Sequence, residues 1–280
     1  MSNVHHGPYI DTSEHELSQY DKQTIALSEI LRRQSILTTD EVRRTIEDFN
    51  TPYDPYFENR IRALIAICVE KNVLVQSEIQ EQIDTMQIPE HSTYENAVRA
   101  FASLLVAKNV TSYQEIQDQV STNEKRTHAL GASVVAKAWL DIDYKNRLLS
   151  DARSAISEMG IALEEHVEFR IVENTPTLHH VVVCTLCSCY PRALLGEPPE
   201  WYKSMVYRQR VVAEPRQVLL EMGLPLDEQV KLRVVDSTAD VRYLVIPKIP
   251  EGVESLSEDQ AAELVTRDSM IGVSHAMPVA

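Results

Sequence analysis

The sequence predicts an α+β fold: an N-terminal arm of repeated helical hairpins, followed by a layered α/β domain. Three observations predict it. A 37-residue repeat runs through the first part of the chain, with copies that start at Ala26, Ala63 and Ala100. Helix breakers are scarce early and frequent late: of seven glycines, only Gly7 and Gly131 precede Gly160. Segments with strand character (FRIVEN, HHVVVC, KLRVVDS, VRYLVIP) appear only in the second half. Helices before, strands in the middle and helices after give the α+β order.

Within the repeat, Ile30/Ile67/Leu104, Glu41/Glu78/Glu115 and Ile46/Ile83/Val120 occupy matching positions. Each copy reads as an apolar-periodic helix, a break and a second helix. Thr38 or Thr39 can cap the second helix of the first copy, and Thr111 or Ser112 that of the third. Pro52 and Pro89 fall between copies, where helices should stop. No single hairpin can bury its apolar face, so a stack of hairpins serving as a packing or docking arm is expected. Cys68 lies on an apolar side and reads as a small buried hydrophobe.

Residues 131–159 read as two helices with a turn near Asp141, ended by Gly160. Two strands follow, with Thr175-Pro176 between them. PPEWYKSMVYRQRVVA and PRQVLLEMG each read as a helix opened by proline. KLRVVDS and VRYLVIP read as a hairpin, and a closing helix starts at Ser257. The arm is therefore set at residues 1–128 and the second domain at 129–280.

Composition excludes several functions. Of 280 residues, 44% are apolar and 25% charged, which is ordinary for a globular chain. Net charge is −15 with no basic patch, so nucleic acid is not an expected partner. No apolar run has membrane-spanning length, and the start lacks the apolar run of a signal peptide, so a cytoplasmic protein is expected. There is no G-x-G-x-x-G, P-loop, serine elbow or H-E-x-x-H.

Three of the four cysteines fall within six residues, as Cys184, Cys187 and Cys189. In a chain without a secretory signal such a cluster reads as a metal or redox site. Three thiolates form a soft site suited to zinc, copper(I), iron or cobalt. Structural zinc wants four ligands, and His179 and His180 on the incoming strand should point to opposite faces. One alternative is that the Ser188 and Cys189 amides join the three sulfurs, which leaves a sixth position open. Another is a C-x-x-C redox pair with a spare thiol. Residue types and spacing leave these readings open.

The segment CTLCSC resembles the metal-binding motif of the nitrile hydratase α subunit, in the form whose Thr185 goes with cobalt rather than iron. VENTPTLHHVVVCTLCSCYP, LGEPPEWYKSMVYRQRVVAEPRQVLLEMG, RVVDSTADVRYLVIP and GASVVAKAWLDIDYKNRLL extend the similarity over roughly residues 95–275. The related thiocyanate hydrolase γ subunit shares the motif. The resemblance implies a metal-binding catalytic domain at 129–280. A non-corrin Co(III) would be held by Cys184, Cys187 and Cys189 sulfurs and by the Ser188 and Cys189 amides. It implies that Cys187 becomes a sulfinic acid and Cys189 a sulfenic acid. A β-type partner subunit would supply arginines to those oxygens, and a nitrile would be hydrated to the amide with the metal as Lewis acid. Cys189 would be nucleophile or base.

Departures mark where this chain differs. Arg192 stands where nitrile hydratases usually have a pocket Trp, and the thiocyanate hydrolase pattern also has arginine there. Arg192 is thus a candidate substrate-contacting residue. Glu165 aligns with a family Gln. Asp236 and Arg242 read as an ion pair that holds the predicted hairpin. Trp201, Tyr202 and Tyr207 read as core or interface, and Lys203, Arg208 and Arg210 as a solvated or partner-facing surface. The rival readings are a thiocyanate hydrolase γ-type subunit, and a non-catalytic metal- or redox-binding assembly subunit.

Overall fold

The computed structural model describes residues 10–13, 16–49, 56–86, 88, 90–164, 167–186 and 189–279. Pro52, Pro89, Glu165, Cys187 and Ser188 lie outside the described residues. The chain divides into two compact units, His15–Lys125 and Arg126–Ala280, the second also taking in Met1–Glu14.

In the first unit the described residues form α1 (Gln19–Arg33), α2 (Thr39–Asp48), α3 (Tyr56–Glu70), α4 (Gln76–Met86), α5 (Thr93–Ala107) and α6 (Tyr113–Glu124). Each copy of the repeat is one hairpin, and its turn is made the same way each time. Ser35, Asn72 and Asn109, one repeat apart, adopt the left-handed conformation with φ of 58°, 56° and 57°. Thr38 and Ser112 cap the second helices of copies one and three. In copy two Val75 takes that position and has no side-chain oxygen to offer. Glu78 still reaches back to the Val75 amide at 3.1 Å, which preserves half of the capping box.

The hairpins do not stack in a line. Helix α2 packs on α3, α4 on α5 and α6 on α1, while α1, α3 and α5 meet one another. The repeat therefore closes into a ring of pseudo-threefold symmetry. An open stack would leave an apolar edge at each end for a cap to cover; closure after three copies removes both edges. The core so formed holds Leu27, Ile30, Ile61, Leu64, Ile67, Cys68, Val98, Phe101, Leu105 and Ile116. Burial pushes the Cys68 thiol up to about 12, so it stays a neutral hydrophobe at ordinary pH.

The second unit opens with α7 (Ala129–Leu140), α8 (Ile142–Ser150) and α9 (Ala152–Ser157), three helices where two are expected. Asp141 and Asp151 cut the segment, since each accepts from a backbone amide of the helix it starts. The predicted closing helix is also cut, into α14 (Glu258–Glu263) and α15 (Arg267–Ile271), because Thr266 and Ser269 form a capping box between them.

The strands are β1 (Glu168–Glu173), β2 (Leu178–Val183), β3 (Lys231–Asp236) and β4 (Val241–Ile246). The expected β3–β4 hairpin does not form. β1 pairs with β4 and β2 with β3, both in parallel. The short 237–240 link carries the chain from one pair to the other: the Ser237 amide still bonds the Val183 carbonyl at 2.7 Å, and the Glu168 amide bonds the Asp240 carbonyl at 2.7 Å. HHVVV is a continuous run with every residue buried, which is the mark of a parallel strand covered on both faces. The core of this unit gathers Val135, Tyr144, Val181, Val183, Leu244 and Ile246 with Cys184 and Cys189.

Candidate metal centre

The cysteine segment leaves the carboxyl end of β2, where the register sets Val183 opposite Asp236. Two hydrogen bonds fix the next residue. The Asp236 carboxylate accepts from the Thr185 amide at 3.0 Å and from its hydroxyl at 2.6 Å, one oxygen for each. Charge-assisted bonds of this kind are the stronger sort, and a fork gives orientation as well as energy. Cys184 just before this clamp is fully buried, and Cys189 at the far end of the turn is buried too.

A second clamp comes from below. Helices α11 (Glu200–Lys203) and α12 (Met205–Ala213) follow α10 (Arg192–Leu195), and α13 (Pro215–Glu221) comes after them. Helices α11 and α12 place Tyr202 and Tyr207 under the turn. The Tyr202 hydroxyl donates to the Cys189 carbonyl at 2.9 Å, and the Tyr207 hydroxyl to the Val182 carbonyl at 2.7 Å. Both phenols are buried, and burial raises their pKa, so they remain donors. The Tyr190, Tyr202, Trp201 and Tyr207 rings meet edge-on or tilted, at centroid distances of 5.1 Å for Tyr190–Tyr202 and 4.9 Å for Trp201–Tyr207. The Cys184 end is therefore held by Asp236 and Tyr207, and the Cys189 end by Tyr202.

Between Cys184 and Cys189, Cys187 and Ser188 lie outside the described residues, and among the described residues no three candidate ligands come together. The donor chemistry nonetheless fits a soft metal: two buried sulfurs flank one turn whose ends are fixed.

His179 and His180 are successive residues of β2, and both rings reach the one Asn174 side chain, at 3.1 and 3.2 Å. The Gly272 carbonyl lies 2.8 Å from His179 Nε2 and can only accept, so that nitrogen carries the proton. Nδ1 of His179 then accepts from the Asn174 amide group. The Asn174 oxygen is left to accept from the His180 amide at 2.7 Å and from His180 Nδ1. Burial lowers both histidine pKa values, so both rings are neutral. Gly272 has φ of 88°, and a Cβ there would stand 2.0 Å from the His180 carbonyl, so only glycine permits this approach.

Arg192 is buried at the start of α10, with Nε 3.3 Å from Glu197 Oε2. Glu197 Oε1 and the Tyr190 hydroxyl are buried without a hydrogen-bond partner among the described residues. The expected Asp236–Arg242 pair is corrected: Asp236 holds Thr185, while Arg242 donates to carbonyls of the 238–241 link, including Ala239 at 3.2 Å. The two residues belong to different parallel pairs, so no hairpin faces them together. The solvated or partner-facing surface expected of Lys203, Arg208 and Arg210 is likewise corrected. All three are buried. Lys203 pairs with Glu200, and Arg210 with Glu214 and with Glu221 at 2.7 Å, which offsets the loss of hydration. The sequence reading missed the roles of Asp236, Tyr202 and Tyr207. Their residue types were visible, but their partners lie up to 51 positions away.

The family model described as nitrile hydratase, alpha chain, matches residues 92–274. The low-molecular weight cobalt-containing nitrile hydratase subunit alpha of Rhodococcus rhodochrous is 54% identical over 145 residues, 52% of this chain and 70% of that one. The thiocyanate hydrolase subunit gamma of Thiobacillus thioparus is 47% identical over 166 residues, 54% of this chain and 68% of that one. Among solved structures, a recombinant thiocyanate hydrolase with partially modified cobalt centres aligns with a TM-score of 0.64 at 41% identity, covering 68% of this chain and 92% of the other. An Fe-type nitrile hydratase from Comamonas testosteroni Ni1, a double mutant, gives 0.63 at 40%, covering 65% and 90%.

Proposed function

The chain belongs to the nitrile hydratase alpha-chain family, and on that premise we propose that it is the metal-bearing subunit of a cytoplasmic cobalt nitrile hydratase. The observation that carries the reading is the doubly clamped turn between two buried cysteines, with Thr185 fixed by Asp236. Cys184, Cys187 and Cys189 would hold Co(III) through sulfur, and Ser188 and Cys189 through their amides. The helical arm of residues 1–128 and the catalytic domain of 129–280 are its two working parts. When bound, the metal supplies Lewis acidity toward a nitrile or a water.

The chain's own residues do the rest. Tyr202 holds the Cys189 carbonyl and Asp236 holds Thr185 beside Cys184, which would limit how far these two cysteines must move to take a metal. Cys187 as sulfinate and Cys189 as sulfenate would offer acceptor oxygens. A β-type partner supplies arginines that bind these oxygens and exclude water. The Cys189 sulfenate oxygen would act either as a base that takes a proton from the water adding to the nitrile carbon, or as a nucleophile at that carbon, in which case water must then displace it and restore the sulfenate. One water is added across the carbon–nitrogen bond and the amide leaves.

The test is purification with the partner subunit, followed by metal analysis, cysteine mass spectrometry and a nitrile-to-amide assay. The expected result is about one cobalt per chain, because one turn offers one site, with two added oxygens on Cys187 and one on Cys189. Stoichiometric zinc, or a Cys184–Cys187 disulfide in active enzyme, would refute the reading.

Arg192 favours a second reading, a thiocyanate hydrolase γ-type subunit that releases carbonyl sulfide and ammonia. A guanidinium beside the turn suits a polar or anionic substrate. Its pairing with Glu197 offsets that charge and favours the neutral nitrile. Arg192→Trp, made together with Glu197→Gln so that no carboxylate is left unpaired, should raise kcat/KM for an apolar nitrile over a polar one by about tenfold, one 1.4 kcal/mol step. An unchanged ratio with cobalt retained would remove Arg192 from the substrate pocket.

A further inference from the structure

The family match begins at residue 92, one position before α5, so the family shares the third hairpin and not the first two. The solved relatives agree in extent: 65–68% of this chain accounts for 90–92% of theirs. In this chain α5 and α6 turn Val98, Phe101, Leu105, Ile116 and Val120 into the ring core, where α1, α3 and α4 cover them. A chain with the third hairpin alone would leave that face in water, and a single amphipathic hairpin cannot bury it. Helices from another polypeptide would have to do so.

The ring also has no seam to spare. Lys71 meets Glu41 at 2.6 Å between copies two and one, and Lys108 meets Glu78 at 2.9 Å between copies three and two. At the third seam the matching position is Gln34, which cannot form an ion pair. Gln34 donates instead to the Val110 carbonyl at 2.7 Å, and the neighbouring Arg33 takes Glu115 at 2.6 Å. The same glutamate position is thus used at all three joints, and the substitution at Gln34 is answered next door. Gln82 reaches Ser103 across one joint and Gln119 reaches the buried Glu29 across another, again at matching positions. At each joint the matching glutamate of the repeat, Glu41, Glu78 or Glu115, finds its cation within this chain.

We propose that the first two hairpins supply in cis the cover that a shorter family member takes from its partner subunit, and that the partner of this chain therefore engages it without a helical hairpin pair of its own on α5 and α6. This rests on the reading that a partner subunit completes the metal site. Its test does not read turnover, so a failed nitrile assay and a failed ring are separate results.

The experiment uses the full chain, alone and co-purified with its partner. Amide hydrogen exchange of α5 and α6 should change by less than about twofold on partner binding, because the helices are already covered. A rise in protection well beyond that would overturn the proposal, since it would mean that the partner completes the hairpin. A second measurement is zero-length carbodiimide coupling of the assembled complex, with half of the chains isotopically labelled. Lys71–Glu41 and Lys108–Glu78 links should form within single chains. The same lysines coupled to partner peptides, or across labelled and unlabelled copies, would also overturn it.

Discussion

The ring and the unit that carries the cysteine cluster solve the same problem, fixing a turn, in opposite ways. In the ring three turns carry a left-handed residue at the same position, nearly the same cap and the same glutamate at the joint. The turn that carries the cysteines is fixed once, by Asp236 above and by Tyr202 and Tyr207 below. The ring is redundant and its signals are local. The cysteine turn depends on single side chains far away in sequence. A loss should therefore be absorbed in the first unit and concentrated in the second.

The sharpest way to break the comparison is Asp236→Ala. It removes both bonds to Thr185, and loss of a residue that positions metal ligands typically costs 10–100-fold in metal affinity or activity. Cobalt content and kcat should fall together while the helical content of the ring is unchanged. An active, fully loaded variant would show that the turn is held by other means.

Tyr202→Phe should come next. It strands the buried Cys189 carbonyl at a cost of about 1–3 kcal/mol in stability, read by denaturant unfolding. A loss below about 0.5 kcal/mol would mean that the carbonyl finds another donor.

Acid should separate the regions by direction. His179 and His180 have pKa values lowered by burial, so below about 6.5, the ordinary histidine value, the unfolded chain takes up protons that the folded unit refuses. Stability from these two residues is present above that pH and is lost as pH falls through it. His179→Gln together with His180→Gln should flatten the decline between pH 6.5 and 5 in a melting series. An equally steep decline in that variant would assign it to carboxylates instead.

The smallest effect belongs to the ring. Ser35→Asn gives copy one the asparagine that copies two and three carry at the left-handed position, and should raise stability by a few tenths of a kcal/mol to about 1. A loss of stability would show that the copies are less equivalent than their backbones.

The sequence by itself determined the repeat, its hairpin turns and caps, the cysteine motif and the α+β order, because each is written within a few residues of itself. Ser112 before Glu115, or Cys184 before Cys187 and Cys189, needs no distant partner to be recognised. Tertiary structure decided three things. It closed the hairpins into a ring, which depends on the rotation per copy and not on any residue's type. It paired β1 with β4 and β2 with β3, because HHVVV can be buried on both faces only if other elements cover it. It gave Asp236 to Thr185 rather than to Arg242, because register, not proximity in sequence, brings a strand end beside a turn 51 positions earlier. Local chemistry is legible in sequence wherever the partner is near; the contacts that fix the cysteine turn are chosen only once the chain has folded back on itself.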